Sequence, residues 1–134
     1  MSGAEGRGAG VLACPNGAPK EPPFPGPWHV EAQLANDGFD RKLYVAGERV
    51  FGLLKAWPRE ENASPMPFEP PEKMVDLALR VGRAVDLEIY GVDLVGRDGV
   101  FGIVDVNPFP GFRGIPEAGQ AIADHIAARL SEAG

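Results

Sequence analysis

Apolar residues gather in five short segments of this chain and recur at every third or fourth position in two longer ones. Residues 28–35, 41–46, 49–55, 89–95 and 100–106 read as strands, separated by Gly, Asn and Asp where the chain must turn. Met74, Leu77, Ala78, Val81, Ala84 and Val85 follow helical spacing, and Pro70-Pro71 before them suits the first turn of a helix. Gly82 interrupts that stripe as a weak point, while Arg80 and Arg83 are placed for surface ion pairs. A second helix is expected from about residue 117 to 130, with Ile122, Ile126 and Leu130 on one stripe. Residues 58–71, rich in Pro and Glu, read as a connecting loop. The pattern predicts an α+β fold, an antiparallel sheet with two helices packed on it.

The hairpin formed by residues 89–106 carries the densest chemistry. Its apolar runs are interrupted by Asp93, Asp105 and Asn107. A carboxylate inside a buried strand is costly unless something neutralises it, and two carboxylates with an amide suit a hard cation, Mg²⁺ first. Asp105 and Asn107, two residues apart, share a face of their strand. The turn decides where Asp93 points. A two-residue loop at Arg97-Asp98 pairs Asp93 with Gly102 and turns it to the opposite face. A three-residue loop Arg97-Asp98-Gly99, with Gly99 left-handed in a bulge, pairs Asp93 with Ile103 and aligns all three side chains. Asp93 and Asp105 would then be diagonal neighbours about 7–8 Å apart at Cα. The glycine at position 99 favours this second arrangement. The alternative to a cation site is an edge hairpin with its polar face in water.

The other hairpin turns at Gly47-Glu48. A type II′ loop there sets Lys42 opposite Leu53 and puts Lys42 and Lys55 on one face. Two converging ammonium groups want an anion between them, such as phosphate; otherwise they are solvated lysines on an exposed face. After the 100–106 strand, three prolines between positions 108 and 116 impose a rigid irregular loop. Arg113 in that loop is a candidate contact for an anionic substrate or phosphate, or a partner in a structural salt bridge.

Bulk properties narrow the class. The chain has 134 residues and a formal net charge of −6, one modest domain without the basic footprint of a nucleic-acid or anionic-membrane binder. It lacks an 18-residue apolar run and a signal-peptide pattern, which makes a cytoplasmic protein the expectation. The single cysteine, Cys14, reads as an incidental thiol, and His29 has no second histidine or cysteine spaced to help it hold a metal. Residues 1–27 contain twelve Gly or Pro and are expected to be a flexible segment before a domain over residues 28–134. So poor a start suggests a lobe truncated at its N-terminus.

The series Gln33, Asp40-Arg41-Lys42, Gly47, Gly91-Val92-Asp93, then Asp105-Val106-Asn107-Pro108 with Pro110-Gly111-Phe112, resembles the C-terminal half of the ATP-grasp superfamily. It is similar both to ribosomal-protein-modifying glutamate ligases and to ATP-grasp inositol phosphate kinases, over roughly residues 28–130. The resemblance implies that Asp93, Asp105 and Asn107 hold Mg²⁺ or Mn²⁺ against the phosphates of ATP. It implies that Gln33 and Leu34 meet the adenine from the hinge, that Lys42 lies near the phosphates or the acceptor, and that Lys55 faces the transferred phosphate. Asp105 stands where most of the ligases carry Glu and matches the kinases. Gln33 is followed by Leu34-Ala35 where the family shows an acidic and an aromatic residue, and Trp57 replaces a small polar residue. The nucleotide-binding lysine strand and the glycine-rich phosphate loop of the other lobe are not found in the sequence.

The resulting expectation is the Mg-ATP-binding part of an ATP-dependent carboxylate-amine ligase. The alternatives are a small-molecule kinase and a non-catalytic partner or assembly module. Expected partners are ATP and a small-molecule or peptide acceptor, without nucleic acid or membrane, and either a companion chain carrying the other lobe or a second copy of this one.

Overall fold

The computed structural model describes residues 31–57 and 64–134, together with Gly17, Lys20 and Glu21. The chain divides into two units, Met1–Gln33 and Leu34–Gly134, and the strands and helices belong to the second. Cys14, His29 and the start of the expected first strand lie outside the described residues.

The element order is β1 (Phe39–Ala46), β2 (Arg49–Ala56), β3 (Met66–Phe68), α1 (Glu72–Val85), β4 (Ile89–Arg97), β5 (Val100–Pro108) and α2 (Ala118–Glu132). The strands form one antiparallel sheet in the order β3-β2-β1-β4-β5. The β1–β2 turn is the expected two-residue loop. Gly47 has φ +62°, Glu48 is not left-handed, and Lys42 opposes Leu53. Two expectations fail here. Residues 31–37 are irregular rather than a strand, because Asn36 Oδ1 accepts a 2.5 Å hydrogen bond from Gly38 N–H and starts β1 only after that turn. The connecting loop over 58–71 contains β3, which pairs with residues 52–54 of β2.

Each face of the sheet has its own core. On one face, Leu43, Val45, Tyr90, Val92 and Leu94 pack against Ala78 of α1, flanked by Met74, Leu77 and Val81. Gly82 is a contact here rather than a weak point: a Cβ at that position would lie 2.2 Å from the Tyr90 hydroxyl. That hydroxyl donates a buried 2.8 Å hydrogen bond to the Ala78 carbonyl. Ala84 and Val85, expected on the packed stripe, are exposed, because α1 ends in a left-handed cap at Asp86 and the chain leaves for β4.

On the opposite face, Tyr44 and Leu53 pack against Phe112, Ile115 and Ala118, with Ile122 alongside. Here α2 covers only one end of the sheet. Ile126 and Leu130 are 45% and 71% exposed, so the expected stripe is buried through Ala118, Ala121 and Ile122 alone. The helix is also held by Glu88, which meets His125 at 2.9 Å and Arg129 at 3.1 Å.

Candidate functional site

The part of this second face left open by α2 carries the polar residues. Directly opposed residues of an antiparallel sheet project to the same side, so one row across four strands reads Leu53, Lys42, Asp93, Asp105. The next row reads Phe51, Tyr44, Gly91, Asn107, and β2–β1 pairing sets Lys55 opposite Asp40. Asp40, Lys42, Lys55, Asp93, Asp105 and Asn107 therefore share one face.

The alignment of Asp93 with Asp105 depends on an irregularity that is not at the turn. The hairpin closes through Asp98-Gly99, both left-handed (φ 54° and 79°), with Arg97 opposite Val100. That is a type I′ loop, not the expected three-residue loop. Continued without interruption, its register would set Asp93 opposite Val104 and turn Asp105 and Asn107 to the other face. Instead the register shifts between Asp93 and Leu94: Leu94 pairs with Ile103 and Asp93 with Asp105, leaving Val104 as the extra residue of a bulge. The two aspartates are consequently direct cross-strand partners, not diagonal ones.

The site is more open than the sequence suggested. β5 is an edge strand, Asp105 and Asn107 are exposed, and so are Val100, Ile103 and Val104. The burial cost that singled out these residues thus falls on the inner positions. Asp93, Lys42 and Asp40 have side chains only 20%, 15% and 18% exposed. Lys42 Nζ is in contact with Asp93 Oδ2, and lies 3.7 Å from Asp40 Oδ2. Asp40 Oδ1 is buried and, among the described residues, has no hydrogen-bond partner. Burial pushes the Asp40 carboxyl above its usual range; Lys42 and Lys55 oppose that rise, and Asp93 adds to it. Burial likewise raises the Tyr44 phenol. Asp40 was not among the expected site residues, although its position two residues before Lys42 in a strand places it on the same face.

The remaining candidates fall around this row. Lys55 is half-buried on β2. Leu34 packs on Gly102, where a Cβ would lie 2.4 Å from it. With Ala35, Val95, Val100 and Gly102 it lines a groove of about 300 Å³; Val95 and its partner Gly102 lie on the face that carries Asp93. Gln33 is exposed and belongs to the first unit. Arg113 is exposed in the loop after β5. That loop is anchored by a 3.0 Å bond from Phe109 N–H to the Ile89 carbonyl and by Phe112 against Tyr44, ring centroids 5.2 Å apart. Phe109 and Phe112 are both left-handed (φ 45° and 47°), a conformation that bulky residues adopt only under constraint.

A cation can be tested against these donors. Asp93, Asp105 and Asn107 offer only oxygen and converge on one face, the donor set of Mg²⁺ rather than of zinc. Among the described residues, three or more His, Cys, Asp or Glu side chains nowhere gather into a metal-binding group. Were Mg²⁺ bound there, the protein would contribute two carboxylates and an amide, a partial shell of the kind that water and phosphate complete.

Solved structures with this fold include macrocyclase MdnC bound with precursor peptide MdnA from Microcystis aeruginosa MRC. It matches with a TM-score of 0.59 and 16% identity, over 70% of this chain and 34% of that one. ATP-grasp ligase PsnB, complexed with a phosphomimetic variant of its minimal precursor, Mg and ADP, matches with a TM-score of 0.56 and 24% identity, over 69% and 33%. The fold is that of an ATP-grasp lobe. A Chryseobacterium gregarium RiPP-associated ATP-grasp ligase, in complex with ADP and a leader and core peptide, matches with a TM-score of 0.57 and 14% identity, over 68% and 33%. In sequence, the lobe is similar to inositol-tetrakisphosphate 1-kinase of Xenopus laevis, 28% identical over 80 residues, or 58% of this chain and 20% of the kinase. The Danio rerio kinase is 23% identical over 73 residues, 52% of this chain and 18% of the kinase. No protein-family model matches the chain. The chain spans about a fifth of the curated relatives and about a third of the solved structures it matches. Among the described residues no helix is long and apolar enough to cross a membrane, which says nothing of a β-barrel.

Proposed function

We propose that this lobe, taken to span residues 28–134, is the Mg-ATP-binding part of an ATP-grasp enzyme whose parent reaction joins a carboxylate to an amine. The observation that carries the reading is the row Lys42, Asp93, Asp105 with Asn107 beside it on one face. Asp93, Asp105 and Asn107 hold Mg²⁺, or Mn²⁺ in its place; the bound cation neutralises phosphate charge. Lys42 and Lys55 face the phosphates. Three carboxylates, Asp40, Asp93 and Asp105, stand against these two ammonium groups, so a divalent cation converts an anionic site into a cationic one suited to a polyphosphate. Leu34 and the groove beside it take the adenine, with Gln33 at the hinge. Arg113 meets an anionic acceptor. Such chemistry is mainly positioning and charge neutralisation, which these residues supply. The acceptor is a small molecule or peptide, a companion chain or second copy supplies the other lobe, and the compartment is the cytoplasm.

The similarity to the inositol phosphate kinases favours a second reading, phosphoryl transfer to a hydroxyl, on the same nucleotide site. Paramagnetic Mn²⁺ added to ¹⁵N-labelled chain tests the shared part of both readings. Broadening that begins at the amides of residues 91–93 and 105–107 is expected. Broadening that begins instead at the acidic surface of α1, around Glu72 and Asp76, contradicts the cation site.

A further inference from the structure

Lys42 sits between two carboxylates and is held more closely by one of them. Its Nζ contacts Asp93 and is 3.7 Å from Asp40 Oδ2, beyond hydrogen-bonding range, while Asp40 Oδ1 has no hydrogen-bond partner among the described residues. The arrangement is therefore lopsided. One half-buried carboxylate touches the ammonium directly; the other pairs with it only at 3.7 Å, lies opposite Lys55, and keeps one buried oxygen without a hydrogen-bond partner among the described residues.

Any divalent cation taken up by Asp93 must compete with that ammonium for the same carboxylate. An ammonium displaced into an 85%-covered position without a new partner would be strongly unfavourable, because a desolvated charge needs a counter-charge. Asp40 lies two residues before Lys42 on β1, with its side chain on the same face, and is the nearest alternative carboxylate. A movement of about 1 Å brings Nζ within the 2.7–2.9 Å of a charge-assisted bond.

We propose that Asp40 is a positioning residue that receives Lys42 when a cation takes Asp93. This rests on the cation reading above and adds a role for a residue outside the ligand set. Without cation, Lys42 holds Asp93 in place and masks its charge. With cation, Lys42 turns to Asp40, fills the unsatisfied carboxylate, and is fixed on the phosphate-facing side of the sheet. Cation uptake and placement of the lysine become one event. The lysine acts as an internal occupant of the cation site, and Asp40 as the place to which it withdraws.

The test is solution NMR on the full chain, with Mg²⁺ alone as the probe. Scalar coupling through the hydrogen bond, from Lys42 ¹⁵Nζ to a carboxylate ¹³Cγ, names the partner directly. The expected result is coupling to Asp93 without Mg²⁺ and to Asp40 at saturating Mg²⁺. Coupling that stays on Asp93 while Mg²⁺ shifts Asp105 and Asn107 overturns the transfer but leaves the cation site standing. No Mg²⁺-dependent shift at Asp93, Asp105 or Asn107 removes the cation site, and the transfer with it. A double-mutant cycle checks the same point energetically. Asp40→Asn is expected to weaken Mg²⁺ binding at least about tenfold, the loss of one charge-assisted partner. In a Lys42→Gln background, with no ammonium to rehouse, the same change is expected to cost no more than about twofold, the residual effect of one nearby charge. An undiminished Asp40→Asn effect in that background would mean that Asp40 acts as a distant charge only, and would overturn the proposal.

Discussion

Gly82→Ala is the change for which local and tertiary effects disagree most in sign. In an isolated helix, replacing an interior glycine by alanine is worth about 1 kcal/mol in stability. In this fold the new Cβ would lie 2.2 Å from the Tyr90 hydroxyl, 2.5 Å from Cζ and 2.6 Å from Cε1. Tyr90 is 1% exposed and cannot swing into solvent. The ring must shift within a packed core, at about 1–3 kcal/mol. Its 2.8 Å bond to the Ala78 carbonyl is then stretched or broken. A buried donor or acceptor left unpaired adds about 1–3 kcal/mol. Offsetting the helix gain of about 1 kcal/mol, the net effect is a loss of about 1–5 kcal/mol. Gly119→Ala in α2 is the control, since nothing lies within 4 Å of its Cβ position. It should be neutral or stabilising, by up to about 1 kcal/mol. Urea unfolding of both variants beside the parent, at equal m-values, reads the difference. If Gly82→Ala stabilises the chain as much as Gly119→Ala does, the packing of Tyr90 against α1 is not what holds the helix to the sheet.

Three further outcomes follow from the same structure. Deleting Val104 removes the bulged residue but keeps Asp105 opposite Asp93 on a regular ladder, so Mg²⁺ should still perturb both carboxyls by NMR; loss of either response would show that the bulge does more than set the register. Burial raises the Asp40 carboxyl in the folded state, so the stability it contributes is complete below its ordinary value of 3.8 and lost as pH rises through the folded value. Asp40→Asn should therefore match the parent in stability at pH 3 and exceed it at pH 7; denaturant midpoints at the two pH values check this, and a gain confined to acid would reverse the sign. Asp37→Asn, which breaks an exposed pair with Arg41 at 2.5 and 2.9 Å, should cost no more than about 1 kcal/mol by the same unfolding measurement.

Much of this fold is written in local pattern. Gly47-Glu48 fixed the β1–β2 register, and with it the opposition of Lys42 to Leu53, because a two-residue loop leaves no freedom. The stripe Met74, Leu77, Ala78, Val81 found α1 because those positions do meet the sheet. The shared face of Asp93, Asp105 and Asn107 was also expected, but through the wrong device. The left-handed glycine at 99 was read as a bulge at the turn, whereas it completes a type I′ loop with Asp98. The bulge lies at Val104, a residue with no composition signal, since its extra position is set by the ladder and not by its own dihedral preference. Exposure misled in the same region. The apolar run of β5 reads as a buried strand, yet its place at the sheet edge leaves Val100 77% exposed. Likewise Ile126 and Leu130 repeat at helical spacing beyond the end of the sheet that α2 covers. Asp40 was missed because its significance is relational: only the strand pairing brings it opposite Lys55 and beside the Lys42–Asp93 contact.

The central claim is that Asp93, Asp105 and Asn107 form the cation end of a nucleotide site. Calorimetric titration of a non-hydrolysable ATP analogue into the chain, with and without Mg²⁺ and with Asp105→Ala in parallel, tests it most directly. The account predicts binding that requires Mg²⁺ and is lost in the variant, while the variant unfolds at the same urea concentration as the parent because Asp105 is exposed. Binding that is indifferent to Mg²⁺, or unchanged by Asp105→Ala, would contradict it.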